Sequence, residues 1–212
     1  MRELLMAVAV LAWPALLLSG PEFQYWNNFG IEYRFSNRVE FQLSITHKFT
    51  DAARELGQYN YTPGIGFILS PNFDVAVHYK FQDKKETNVW QREHRFDCVP
   101  KIHWDKNTVR YQVQSKIEYR HLESERFWRF REKISVEKHL IISDIIIDPF
   151  ISAEIFYRMA AREVTQVRMH LGISTPLCRA VKFELYYVRN SGKTGSNWRA
   201  YNALGTKFAL DF

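Results

Sequence analysis

The chain has 212 residues, of which 46% are hydrophobic, 16% aromatic and 25% charged, with a formal net charge of +6 and two cysteines. That composition excludes a disordered or collagen-like chain, and two cysteines exclude a disulfide scaffold or a multi-cysteine zinc site. After the first twenty residues no apolar run approaches the roughly 18 residues of a membrane-spanning helix, so average hydropathy and charge taken alone suggest a soluble basic protein.

The first element is a targeting segment. Met1-Arg2-Glu3 precedes an apolar stretch over 4–18, followed by the small residues Ser19 and Gly20. A short basic start, an apolar region too short to span and small residues at the exit predict a secretory signal peptide over 1–19 and a mature domain over 20–212.

The mature chain then keeps a period of two. Phe29, Ile31, Tyr33 and Phe35 alternate with Gly30, Glu32 and Arg34. After Ser36-Asn37, Val39, Phe41, Leu43 and Ile45 alternate with Glu40, Gln42, Ser44 and Thr46. Tyr59, Tyr61, Ile65, Phe67 and Leu69 form the next run, and Pro71-Asn72 turns into Phe73, Val75, Val77, Tyr79 and Phe81. Later runs carry more charge: Arg95 and Asp97 beside Phe96 and Cys98, then Arg110, Lys116, Glu118 and Arg120 against Val109, Tyr111, Ile117 and Tyr119. Arg129, Arg131 and Lys133 then oppose Trp128, Phe130 and Ile134, and Ser152, Glu154 and Arg158 oppose Ile151, Ala153, Ile155 and Tyr157. Arg168 and His170 oppose Val167, Met169 and Leu171; Glu184 and Tyr186 oppose Phe183, Leu185 and Tyr187; Lys207 and Asp211 oppose Phe208, Leu210 and Phe212. A 180° period of this kind specifies β-strands.

Strand length selects the architecture. Soluble sandwiches use strands of about 5–6 residues, whereas a transmembrane strand needs roughly 9–11 and inverts the faces, apolar to lipid and polar to the lumen. The runs here last about 10–15 residues, and aromatics lie near their ends (Trp26, Phe35, Tyr59, Phe81, Trp90, Trp104, Tyr119, Trp128, Tyr157, Tyr187, Trp198), as interfacial girdles require. The reading is all-β: a single antiparallel transmembrane β-barrel in the outer membrane of a Gram-negative bacterium. Phe208, Leu210 and Phe212 form a C-terminal strand of the type read by the barrel-assembly machinery. About eleven runs are visible, but bacterial barrels have even strand numbers. Twelve is therefore the preferred count, with the 22–35 run split in two or a strand hidden in 138–149, and ten is the alternative, with the 22–35 run outside the barrel.

Several short motifs add a resemblance. Phe23-Gln24-Tyr25-Trp26, Arg95, Glu118-Tyr119-Arg120, Arg129-Phe130-Arg131, Ala153-Glu154-Ile155-Phe156, Gln166-Val167-Arg168 with Gly172, and Glu184-Leu185-Tyr186-Tyr187 together resemble the bacterial outer-membrane barrel family termed domain of unknown function 2490. The resemblance spans essentially the whole mature chain. It implies a barrel in the outer membrane and supplies no activity.

Function rests on the polar face. Turned inward, it makes Arg95, Arg110, Lys116, Glu118, Arg120, Arg129, Arg131, Lys133, Glu154, Arg158, Arg168 and His170 the pore-lining candidates. Because i and i+2 share a face, Arg129, Arg131 and Lys133 form a ladder of positive charge, and cation-lined pores favour anions. A narrow pore for small anionic solutes, such as acidic sugars, is one reading; a structural barrel filled by ion pairs is another. A lipid-modifying hydrolase is a third, with His78, His103, His170, Ser152 and Ser174 on polar faces, but none has a catalytic partner at a fixed spacing, and a non-enzyme is expected. No metal cluster, phosphate loop or nucleotide motif occurs, so no metal or cofactor is expected. The expected partners are outer-membrane lipid and lipopolysaccharide, with no nucleic acid.

Overall fold

A computed structural model describes residues 23–86 and 89–212. The expected signal peptide over 1–19 lies outside the described residues. The elements are β1 (Gln24–Ser36), β2 (Val39–Thr50), β3 (Glu55–Ser70), β4 (Phe73–Glu86), β5 (Val89–Lys106), β6 (Val109–Leu122), β7 (Arg126–Lys138), β8 (Leu140–Ile142), β9 (Ile145–Arg158), β10 (Glu163–Cys178), β11 (Val181–Thr194) and β12 (Asn197–Asp211). Each of the apolar–polar alternations became one strand, because a period of two puts one set of side chains on each face of a pleated ribbon.

Each strand pairs with its neighbour in the chain, except that β7 pairs with β9, and β12 closes on β1. The product is a closed barrel of eleven strands plus the three-residue β8. This corrects both expected counts, twelve and ten. The 22–35 run neither splits nor stays outside: β1 is one 13-residue strand in the wall. With an odd number of strands running up and down, the first and last point the same way. The seam is accordingly parallel, from Gln24 beside Ala203 to Glu32 beside Asp211, so the barrel is antiparallel everywhere but there. Phe212 prolongs the seam, its N–H donating to the Glu32 carbonyl at 3.0 Å and its carbonyl accepting from the Arg34 N–H at 2.9 Å.

The strand hidden in 138–149 is β8, and it is a continuation of β7. Glu137 faces Phe150 and Leu140 faces Ile147 in one unbroken register. Pro149 has no N–H to give the ladder, and His139 N–H turns away to the Thr108 carbonyl at 2.7 Å. The interruption leaves β8 and the start of β9 as a hairpin tip, turned at Ser143-Asp144, both with φ above zero as a two-residue hairpin turn requires. Two rims result. The lower rim carries the turns 37–38, 71–72, 107–108 and 179–180, the hairpin tip and Phe212; the upper rim carries the connections 51–54, 123–125, 159–162 and 195–196.

The side chains are distributed opposite to those of a water-soluble barrel. Ile65, Val77, Phe96, Ile134 and Met169 are exposed on the outer wall, whereas Arg95, Asp97, Glu118 and Glu154 are buried inside. Most of the expected girdle aromatics face outward, Trp90, Trp104, Trp128 and Trp198 among them. Trp26 does not. It lies on the inward phase of β1, 3% exposed, in an internal cluster with Tyr186, Val188 and Ala203. Its place near a run end suggested an interface, but its phase, shared with Asn28 and Glu32, decided its face.

One outward position also breaks the pattern. Glu132, midway along β7, stands on the apolar wall between Phe130 and Ile134 and accepts a hydrogen bond of 2.6 Å from the Ser115 hydroxyl.

A cation-lined chamber as candidate functional site

The interior is built from charges that β5, β6, β7, β9 and β10 hold on neighbouring inward positions. Register places Glu118 beside Arg129, Lys133 beside Glu154, and Glu154 beside Arg168. A carboxylate taken out of water needs several donors, and each of three glutamates has them. Glu118, with no exposed surface, accepts from Arg95 Nη1 at 3.2 Å, Arg129 Nε at 2.5 Å and Arg131 Nη1 at 2.7 Å. Glu93 holds Arg95 Nη2 at 2.8 Å and takes Arg120 through both oxygens at 2.5 and 2.7 Å. Glu154 receives Arg131, Nε at 3.0 Å, and Arg168 Nη1 at 3.2 Å.

Aromatic faces fix the other side of these guanidiniums. Phe156, 1% exposed, lies under Arg129, Arg131 and Arg168, with 4.5–5.0 Å between each guanidinium carbon and the ring centre. Trp26 carries Lys48 Nζ at 3.8 Å and Arg168 at 5.1 Å. A ring quadrupole attracts cations so placed.

These cations face a chamber of about 440 Å³. Its wall includes Lys48, Lys80, Lys84, Arg95, Arg120, Arg129, Arg131 and Arg168, together with amides, hydroxyls, His170, Trp26 and two tyrosines, and, among the described residues, no carboxylate. The glutamates lie behind the arginines they bind. A separate hollow of about 350 Å³ at the lower rim, lined by Asp105, Arg110, Glu137, His139, Asp148 and Lys182 among others, shares no lining residue with the chamber.

The expected lumen residues therefore divide by height. Arg95, Arg120, Arg129, Arg131, Arg168 and His170 meet in the chamber wall, with Glu118 and Glu154 behind them. Lys116 is interior but off the chamber, 3.5 Å from Asp97, and Lys133 stands beside Glu154. Arg110 and Arg158 are not part of the site. Arg110 pairs with Asp105 at the lower rim, beyond the stacked Trp104–Tyr111 rings, where its hydrogen bond holds the Asp105 carboxyl below the usual range. Arg158 reaches Glu125 at 2.5 Å at the upper rim and covers Phe127. Lys48, Lys80, Glu93, Trp26 and Phe156 also belong to the site; the inward polar phase includes Lys80 and Glu93, whereas Lys48, Trp26 and Phe156 were not expected there. The polar phase of β2 pointed to Lys48 as well; nothing in the alternation singles out Phe156, a large ring on a polar face.

Among the described residues no three His, Cys, Asp or Glu side chains are grouped to hold a metal ion, and no helix is long and apolar enough to cross a membrane, which says nothing of strands. His170 stacks on Tyr186 at 5.6 Å, opposite Ser152 on β9, and its buried Nε2 has no hydrogen-bond partner among the described residues.

No curated protein matches the chain. A family model, described as a protein of unknown function (DUF2490), matches residues 23–201, which span β1 to the first third of β12 and contain every described residue of the chamber wall. The chain belongs to the DUF2490 family.

Proposed function

We propose that this chain is a transmembrane barrel of the Gram-negative outer membrane that acts, without catalysis, as a narrow, anion-preferring pore. Three features support the membrane reading. The barrel strands run from 12 to 18 residues, above the roughly 9–11 that cross a bilayer. The wall is closed, so no strand edge is left open to hydrocarbon. Its exposed face is apolar and its polar groups are inside. Lipid and lipopolysaccharide then contact the outer wall, and Phe208, Leu210 and Phe212 are the residues by which the assembly machinery takes up β12.

The observation that carries the anion preference is the chamber wall, which among the described residues has eight Lys and Arg side chains and no Asp or Glu. Confined positive charge between low-dielectric walls concentrates anions. The test is a planar bilayer containing the refolded protein under a potassium chloride gradient. A reversal potential on the chloride side supports the proposal; a cation-side potential, or no current from protein shown to be folded by heat-modifiable gel migration, overturns it. The last result would instead fit a structural barrel, the reading favoured by the complete burial of Glu118 among three guanidiniums.

A further inference from the structure

The chamber is not electrically balanced. Five guanidiniums (Arg95, Arg120, Arg129, Arg131, Arg168) share three carboxylates, Glu93, Glu118 and Glu154. That leaves an excess of two positive charges. Lys84 is paired with Glu86 at 2.6 Å, but Lys48 and Lys80 have no carboxylate within 4.0 Å among the described residues, and when protonated they raise the excess to four. Lys48 and Lys80 are only partly exposed, and uncompensated positive charge in a confined wall draws anions.

The two arcs of the wall differ in kind. From β5 to β10 it is arginine backed by glutamate. From β1 to β4 the chamber-level positions are Trp26, Asn28, Thr46, Gln58, Asn60, Gln82 and Lys84 with the two unpaired lysines. Some of these groups already bond within the wall, Thr46 to Asn28, Gln58 Nε2 to Gln82 Oε1 at 3.0 Å and Gln82 Nε2 to Glu93 Oε2 at 3.1 Å; a simple inorganic ion would use the cations alone and not the remaining amide donors and acceptors. A ring carrying several hydroxyls as well as acid groups would use both, since amides both donate and accept. His170 adds a buried ring nitrogen in the wall with no partner among the described residues. The volume, about 440 Å³, falls within the roughly 300–1,000 Å³ of small-molecule sites.

We infer that the chamber binds a multivalent acidic saccharide, with its carboxylates or phosphates between Lys48, Lys80 and Arg168 and its hydroxyls toward Asn60, Gln58 and Gln82. This deepens the reading of the lumen as anion-accepting and rests on it. Cation–π contact with Trp26 holds Lys48 and Arg168 in place before the ligand arrives.

The test is calorimetric titration of the refolded full chain in detergent micelles with four probes: digalacturonate, glucose 1,6-bisphosphate, maltose and citrate. Binding of either acidic saccharide, weakened by added salt, supports the inference, and the tighter of the two identifies the acid group. Replacing both lysines (K48Q/K80Q) is expected to weaken that binding about tenfold or more, while K48R/K80R retains it. Gel migration confirms that both variants fold. Maltose binding as tightly as the acidic saccharides, citrate matching them, or none of the four binding would each overturn the inference. Bilayer recordings on the same preparation separate the two readings: chloride selectivity without saccharide binding removes only the ligand, and saccharide binding without current removes only the pore.

Discussion

Glu118 is the point at which the interior is most sensitive. Its carboxylate has no exposed surface and serves Arg95, Arg129 and Arg131. Changing it to Gln keeps the shape and removes the charge. The three guanidiniums are not equally affected. Arg95 retains Glu93 and Arg131 retains Glu154, whereas Arg129 has no other carboxylate within 4.0 Å among the described residues. The loss is thus one orphaned buried cation rather than three. Breaking one buried pair from one side costs about 3–5 kcal/mol, and E118Q is expected to lose that much in urea unfolding from lipid vesicles followed by gel migration. Removing the orphan as well should recover most of it. In E118Q/R129M the Met side chain stays over Phe156, where Arg129 lies at 5.0 Å, and the double variant should be clearly more stable than E118Q. A loss under about 1 kcal/mol for E118Q, or a double variant no better than the single one, would refute the reasoning. E118Q should also shift the reversal potential further toward chloride, since it adds to the positive excess.

Other substitutions test other parts of the molecule. Ile134→Arg, on an exposed outward position, should destabilise the barrel in lipid by about 2–4 kcal/mol if that face meets the bilayer core; an unchanged midpoint would argue against the membrane reading. Glu132→Leu on the same wall should raise stability in vesicles, by less than the about 2–4 kcal/mol of a midplane Arg or Lys, and a fall would show that the Ser115 contact outweighs desolvation. Gly205→Ala would put a Cβ 2.2 Å from the Tyr186 ring, whose hydroxyl accepts from Asn28 Nδ2 at 2.5 Å. The ring must move, at a cost of about 1–3 kcal/mol, seen as a lower unfolding midpoint and altered near-ultraviolet dichroism. Phe212→Ala keeps both backbone bonds to β1 and should cut the amount of barrel in the outer membrane while leaving refolding in vitro unchanged; equal yields in cells would remove Phe212 from the assembly signal.

Much of this was legible in the chain because a strand has only two faces. From Phe29 to Phe212 the alternation determined that the protein is all-β, where most strands lie and which side chains share a face, and so that Arg95, Glu118, Arg131, Glu154 and Arg168 would meet inside a closed wall. Alternation does not say which strand pairs with which, or at what height. The eleven-strand count and the parallel β1–β12 seam follow from closure alone, a condition on the whole wall that no local run expresses. Height likewise separated Arg110 and Arg158, which are rim residues, from the arginines of the chamber, and phase outranked position for Trp26. The chamber's excess charge was decided only by tertiary packing: which carboxylate reaches which guanidinium depends on neighbouring strands in register, and that register left Lys48 and Lys80 without a carboxylate partner among the described residues.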